Sequence, residues 1–368
     1  MMNLVARIVR LGVQNFRNIA LADLRFGPNF NVVYGDNGQG KTNLLEAAYV
    51  ACTSKSFRAN KLSEVLSRPL VGPMRVHMTS KCMGVETQKQ VELESTTRRV
   101  LMDGQTPESM FVYAARTPVV VFHPQELNLS MGPSQLRRKL LDRVALYTEP
   151  SSTRVSAEYK RAMKARQTLL GTHGVHDSTL AAFEQIAATR AVAMQETRRH
   201  VTGHLSNHAA RAFTELGAVN QKFTASYRCS GEERADKIQA ELKLSREDDR
   251  RRGFAAVGPH RDEVVLKLDG RALRGQASQG QHRLAVLALK IAEMHAIHEA
   301  TGALPLLLLD DISSELDAKR TAALFAFLDA LSGQVIVTTT RPELVPRGRA
   351  ERAEVRVEAG MYAASPCP

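Results

Sequence analysis

Residues 35–42 read Gly35-Asp36-Asn37-Gly38-Gln39-Gly40-Lys41-Thr42, the complete spacing of a phosphate-binding loop. Each residue type has a physical reason. Glycines let the backbone curl until successive amides point at an anion, and a helix starting at once adds the positive end of its dipole. Gly35, Asp36, Asn37, Gly38, Gln39 and Gly40 are therefore predicted to cradle phosphates. Lys41 is predicted to reach the β- and γ-phosphates, a catalytic as well as a binding role, and the Thr42 hydroxyl to ligate Mg²⁺. The flanks suit this reading. Asn29 to Tyr34 reads as a buried strand, and Leu44, Leu45, Ala48 and Cys52 recur at helical spacing. A chance glycine turn would lack both.

Such a site needs a carboxylate at the end of a second buried strand. Leu306-Leu307-Leu308-Leu309-Asp310-Asp311 supplies it. Four leucines in a row are too costly to leave in water, so the strand is interior. Asp310 is expected to hold Mg²⁺, directly or through water. Asp311 is placed either to orient or deprotonate an attacking water, or to cap the helix that follows.

Outward from these motifs, both ends of the chain read as α/β and the middle as helical. Arg99-Val100-Leu101-Met102 before Asp103-Gly104 signals a hairpin, and Val119-Val120-Val121-Phe122 a buried strand. Pro133 opens a helical block with predicted helices from Leu136, over 152–170 and over 178–216. It is rich in cations: Arg137, Arg138, Lys139, Arg143, Lys160, Arg161, Lys164, Arg166, Arg198 and Arg199. A solvated face accounts for most of them. Beyond residue 250 come a hairpin arm at Leu266-Lys267-Leu268-Asp269-Gly270, a helix from Ser278, strands at 304–309 and 334–338, and an edge-like alternation at 353–358. The expected division is 1–130 and 251–368 for two parts of one α/β lobe, with 131–250 as a helical insertion.

Composition narrows the class. A net charge of +12 favours polyanionic partners. Cys52, Cys82, Cys229 and Cys367 show no metal-ligand pairing, which points to a reducing compartment. The start of the chain alternates (Val9, Leu11 and Val13 against Arg10 and Gln14) as a strand does rather than a signal peptide, and no apolar run reaches membrane-spanning length. The expectation is a soluble, cytoplasmic protein with no membrane partner.

The kind of phosphate-loop protein is indicated by Ala277-Ser278-Gln279-Gly280-Gln281 ahead of a helix whose Leu284, Leu287, Ala288 and Ile291 share a face. Ser278 with Gln281 fits a capping box. The loop also resembles the signature loop of ATP-binding-cassette (ABC) proteins. In that class the serine and amides of one subunit contact the γ-phosphate held by the other. Asp310 to Asp317, ending Leu316-Asp317, extends the likeness. The resemblance implies a P-loop NTPase of ABC type, its ATPase head built from N- and C-terminal segments around a helical insertion lobe. It also implies an ATP-dependent homodimer in which Ser278, Gln279, Gly280 and Gln281 complete the partner's ATP site.

Further segments are similar to the RecF family from near the N-terminus to about residue 340. They are Asn15-Phe16-Arg17-Asn18, Lys55-Ser56-Phe57-Arg58, Val121-Phe122-His123-Pro124-Gln125-Glu126-Leu127, Arg137-Arg138-Lys139-Leu140-Leu141-Asp142 and Gly258-Pro259-His260-Arg261-Asp262-Glu263. The resemblance implies binding to gapped duplex DNA and single-strand/double-strand junctions. It implies action with RecR and RecO in placing RecA, in recombinational repair, replication restart and the SOS response. Two departures from many cassette ATPases bear on rate. The comparable glutamine segment reads Pro124-Gln125-Glu126, and the late strand ends Thr338-Thr339-Thr340 with no histidine. Slow hydrolysis, suited to a switch, is expected. Arg17 is placed either near nucleotide or in an ordinary salt bridge, and Arg58 either to report DNA or likewise. His260 and Arg261 have no physical role assignable from sequence. An SMC-type chain would need far longer heptad repeats than this insertion holds. A transporter subunit would bring its signature loop closer to the phosphate loop. A DNA-binding scaffold with a vestigial ATP site is opposed by Lys41, Thr42 and Asp310.

Overall fold

In a computed structural model of the protein the leucine run is interior: the strand Leu306–Asp310 is buried along its whole length. It lies between Val119–Phe122 and Val335–Thr339, paired parallel with both. The structure describes residues 4–67, 69, 72–172, 174, 176–218, 220–311, 325, 326, 328, 333–345 and 352–364. The expected loop from Ile312 to Asp317 lies outside the described residues.

Two compact units partition the chain, residues 1–126 with 293–368 and residues 127–292. The first holds a six-stranded sheet in the order Met361–Ala364, Arg352–Glu358, Phe30–Tyr34, Val335–Thr339, Leu306–Asp310, Val119–Phe122. All neighbours are parallel except the antiparallel C-terminal hairpin. Strands buried on both faces read as continuous apolar runs, which is why Val119-Val120-Val121-Phe122 and the leucines were legible. A five-stranded antiparallel sheet runs Ile19–Arg25, Arg7–Phe16, Met74–Cys82, Val85–Glu94, Thr97–Met102. The helix Lys41–Thr53 is buried except at Thr42 and Asn43. Its apolar side chains join one cluster with Leu11, Val13 and Met78 of the antiparallel sheet and Val33, Val121, Leu308 and Ile336 of the parallel one. The phosphate-loop helix is thus held from two sides.

Two expectations, the edge strand and the unit boundary, need correction. Arg352–Glu358 is not an edge strand: its alternation reflects a polar outer face, while Met361–Ala364 folds back through Ala359-Gly360 and takes the edge. Asp103-Gly104 closes the hairpin turn expected of it after the Thr97–Met102 strand, with Met102 and Gln105 exchanging backbone hydrogen bonds of 2.8 and 3.0 Å. Residues 251–292 cluster with the helical unit and not with the C-terminal part of the α/β lobe. The cause is pairing: Glu263–Leu268 is bonded antiparallel to Phe223–Arg228 over six residue pairs.

The helical unit contains Ser134–Thr148, Ser152–Leu170 and the 39-residue Asp177–Glu215. Val155, Ala162, Ala187, Ala191, Met194, Ile238 and Leu242 form its core cluster. Its cations fall into two populations. Arg137, Arg166 and Arg198 are buried, whereas Lys139, Lys160, Arg161 and Lys164 are exposed. Arg166 is fully buried, donating to Glu184 (3.0 Å), Asp249 (2.8 Å) and the Leu242 carbonyl (2.5 Å). Removing one member of a buried ion network leaves uncompensated charge, at a cost of about 3–5 kcal/mol. Arg166→Ala is therefore expected to lower the urea midpoint of the helical unit, followed by far-UV circular dichroism. A loss below about 1 kcal/mol, the size of an exposed pair, would show that the network contributes little.

Candidate nucleotide site

The phosphate loop links the Phe30–Tyr34 strand to the Lys41–Thr53 helix at the carboxyl edge of the parallel sheet, where open α/β folds bind ligands. Gly40, at φ +116°, is the helix N-cap; no side chain caps it and no acidic residue occupies the first turn. Uncapped amides and the helix dipole favour an anion there. Gly35 is at φ +153°, and a Cβ on it would stand 2.2 Å from the Val357 carbonyl oxygen, so only glycine fits. Around Gly38 there is open space.

Lys41 is 7% exposed, and its Nζ donates to the carbonyls of Gly35 (2.7 Å) and Asp36 (2.8 Å). Burial pushes its pKa down, while Asp311, Asp310 and Asp36 oppose that shift. Thr42 Oγ1 donates to Asp310 Oδ1 at 2.8 Å, and Thr338 Oγ1 donates to the same oxygen at 2.7 Å. One strand separates the loop strand from the Asp310 strand, and Thr338 sits on it, directly opposite Asp310. Asp311 follows at φ +48°, its N–H donating to Thr338 O (3.2 Å) and Oγ1 (3.1 Å). The strand-end hydroxyl noted in the sequence thus holds the Asp310 carboxylate and the Asp311 backbone.

Sequence reasoning missed how the loop is held. The C-terminal hairpin turn grips it: Ala359 N–H donates to Gln39 Oε1 (2.6 Å), Gly360 N–H to Gln39 O (3.1 Å) and Tyr362 hydroxyl to Gly40 O (3.1 Å). Burial raises the Tyr362 phenol. The only signal was Ala359-Gly360, a weak turn. Glu46 was also missed, being one acid inside an apolar helix. Fully buried, it accepts from Arg17 Nε (2.5 Å) and Nη2 (2.9 Å), from Ser56 Oγ (2.5 Å) and from Arg58 Nη1 (3.5 Å). Arg58 also donates to Asn43, and Asn43 to Asn18. Arg17 and Arg58 are therefore salt-bridged to the loop helix, the plainer of the two roles open to each.

Gln125 is exposed in the short turn Pro124–Leu127, after the Val119–Phe122 strand. In the other unit, Ser278 and Gln281 form the capping box: Ser278 N–H donates to Gln281 Oε1 (2.8 Å) and Gln281 N–H to Ser278 Oγ (3.2 Å). Ser278 and Gln279 are exposed, Gly280 and Gln281 partly so. The helix Gln279–Thr301 that follows is buried all round from Leu284 to Ala292, not along one face alone. His260, without a role from sequence, is pinned between Tyr159 OH (3.1 Å) and the Ala255 carbonyl (2.9 Å). Its neighbours are equally engaged, Asp262 with Tyr227 and Ser230, and Glu263 with Arg137.

The parallel sheet with a phosphate loop, a lysine drawn into it and a threonine–aspartate pair beyond an intervening strand define an ATPase head of the ABC type. The family described as RecF/RecN/SMC N terminal domain matches residues 7–361. The chain is 37% identical over 367 residues to the DNA replication and repair protein RecF of Anaeromyxobacter sp. (strain Fw109-5), covering 96% of this chain and 98% of that one. To the protein of that name from Myxococcus xanthus (strain DK1622) it is 38% identical, covering 94% and 93%. A solved structure of the recombination mediator protein RecF-ATP in the RecFOR pathway superposes with a TM-score of 0.88 at 25% identity, covering 99% of this chain and 98% of the other. The chain belongs to the RecF family. Among the described residues no helix is long and apolar enough to cross a membrane.

Proposed function

We propose that the protein is an ATP-dependent DNA-binding switch of recombinational repair, a weak ATPase that pairs with a second copy around ATP on gapped DNA. One observation carries the reading: Lys41 is drawn into a pre-shaped loop, and Thr42 beside it is in direct contact with Asp310 at the end of the Leu306–Asp310 strand. The relatives' names add replication and repair, and the solved neighbour adds ATP and the RecFOR pathway.

The loop amides of residues 35–40 and the uncapped helix end bind the phosphate chain, with the Lys41 ammonium against the β- and γ-phosphates. Thr42 Oγ1 and Asp310 Oδ1 are hard oxygen donors of the kind Mg²⁺ takes, and the ion when bound neutralises phosphate charge. Asp311 orients the attacking water and takes its proton. Ser278, Gln279, Gly280 and Gln281, on the exposed start of a long helix, complete the γ-phosphate site of the partner copy. Hydroxyl groups in place of a late-strand histidine suit slow turnover. In the cell the protein acts in the cytoplasm at the nucleoid, with RecR and RecO in placing RecA, and in replication restart and the SOS response.

Size-exclusion chromatography should show a shift from monomer to dimer on adding ATP. Affinity for gapped duplex should fall by about 10³ or more between 50 and 200 mM salt if six or more phosphates are contacted. Salt-insensitive DNA binding, or binding and pairing indifferent to ATP, would leave a scaffold with a vestigial site instead.

A further inference from the structure

A cleft of about 750 Å³ opens in the helical unit, lined from the helices Ser134–Thr148 and Ser152–Leu170 and the turn around Gly253 to Arg261. Arg138, Lys160, Lys164 and Arg261 line it, and no carboxylate does. Among the described residues none of these four is in an ion pair. The contrast within the same unit is sharp. Arg137 pairs with Glu263, Arg166 with Glu184 and Asp249, Arg198 with Asp142, and Arg246 with Asp177 and Glu184. Carboxylates are plentiful in this unit, yet the cleft has none. Burial, and then Arg198, push the Arg138 guanidinium pKa down, while Glu263, Asp262 and Asp142 oppose that shift.

The cleft also presents an aromatic face. Phe254 is 53% exposed, with the Arg261 guanidinium 5.5 Å from its ring centroid. The turn carrying both is held in place. His260 bridges Tyr159 and the Ala255 carbonyl, and Gly258 at φ +128° passes so close that a Cβ would stand 2.3 Å from the Tyr159 hydroxyl. The segment Gly258 to Glu263, which the nucleotide site leaves unexplained, thereby becomes the support of this wall. A pre-organised wall lowers the ordering cost of binding.

We propose that this cleft binds a single-stranded DNA segment, with its phosphates on Lys160, Lys164 and Arg138 and a base against Phe254. The proposal rests on the DNA-binding reading above and adds where an unpaired arm lies. Unpaired cations lining a concave surface concentrate a polyanion, and the combination of a basic groove with an exposed aromatic is the chemistry of single-strand binding. The volume is that of a small-molecule pocket, about 300–1,000 Å³, so it admits one or two nucleotides and not a duplex. An acidic peptide would use the cations but has no need of the aromatic face.

The test uses the full chain with ATP and two fluorescent probes, oligo-dT and a blunt duplex. Lys160→Ala/Lys164→Ala should weaken oligo-dT binding at least tenfold and make its log–log salt slope shallower by about 1.4, the value for two phosphate contacts on a single strand. Phe254→Ala should weaken it by about fivefold or more with the salt slope unchanged, as loss of base stacking predicts. Duplex affinity should stay within twofold in both variants. Unchanged oligo-dT binding, or equal loss on both probes, overturns the proposal. So does poly-glutamate displacing oligo-dT as well as unlabelled oligo-dT does, which would assign the cleft to an acidic protein segment. Normal duplex binding with no oligo-dT binding by the unsubstituted protein sinks this proposal alone, whereas failure to bind any DNA sinks the broader reading with it.

Discussion

Lys41→Ala is expected to weaken ATP binding by about 30- to 3,000-fold, the ~2–5 kcal/mol typical of truncating one partner of a buried, hydrogen-bonded charge pair. The side chain does two jobs that end together. Its ammonium is the cation drawn into the loop, and it ties the Gly35 and Asp36 carbonyls (2.7 and 2.8 Å), which otherwise present negative dipoles to an incoming phosphate. Lys41→Arg should rescue poorly, because a planar fork cannot reproduce a point charge between two carbonyls. The helix itself should survive: it is buried by Leu44 to Thr53, and the loop stays gripped by Ala359, Gly360 and Tyr362. The thermal midpoint should therefore change little while affinity collapses. The chain has no tryptophan, so a fluorescent ATP analogue reads binding without that background. Affinity within threefold of the unsubstituted protein would mean that Lys41 is a loop strut and nothing more.

What the sequence made legible follows a physical pattern. Local chemistry was readable: the phosphate loop, Asp310 after four leucines, and the helices 152–170 and 177–215 all declare themselves through period, run length or glycine spacing. What could not be read depends on partners far along the chain. Gln39 is held by Ala359 and Gly360, more than three hundred residues away, and Thr338 becomes meaningful only when pairing sets it opposite Asp310. Glu46 carries no signal of its own in an apolar helix, and only the fold brings Arg17, Ser56 and Arg58 onto it. The same limit moved the unit boundary, since Leu266-Lys267-Leu268 reads as a hairpin arm from sequence but the partner of its strand, Phe223–Arg228, does not read as one. The capping box at Ser278 was legible as a box, and geometry within one chain shows it as one. The role proposed for it at a partner's nucleotide needs another copy.

Asp311→Asn bears on that second copy, and it is expected to leave ATP affinity within a few-fold while cutting hydrolysis by about 10²–10⁴, the usual contribution of a general base. The choice of asparagine matters. Asp311 sits at φ +48°, a left-handed conformation that asparagine tolerates and alanine does not, so the Asn variant keeps the backbone that donates to Thr338. It removes the charge that accepts a proton from water and leaves Asp310, Thr42 and the loop as they were. If hydrolysis is what parts the two copies, the variant should remain dimeric on ATP for as long as nucleotide is present, and on gapped DNA it should accumulate. Single-turnover phosphate release and light scattering after size exclusion measure the two effects separately. Asp311→Ala serves as the contrast: backbone strain of about 1–2 kcal/mol should add a loss of stability that the Asn variant lacks. Turnover within threefold of the unsubstituted protein would return Asp311 to the role of a helix cap. A variant that binds ATP, fails to hydrolyse it and stays monomeric would break the link between hydrolysis and pairing, because a sandwiched nucleotide that cannot be cleaved has no reason to let go.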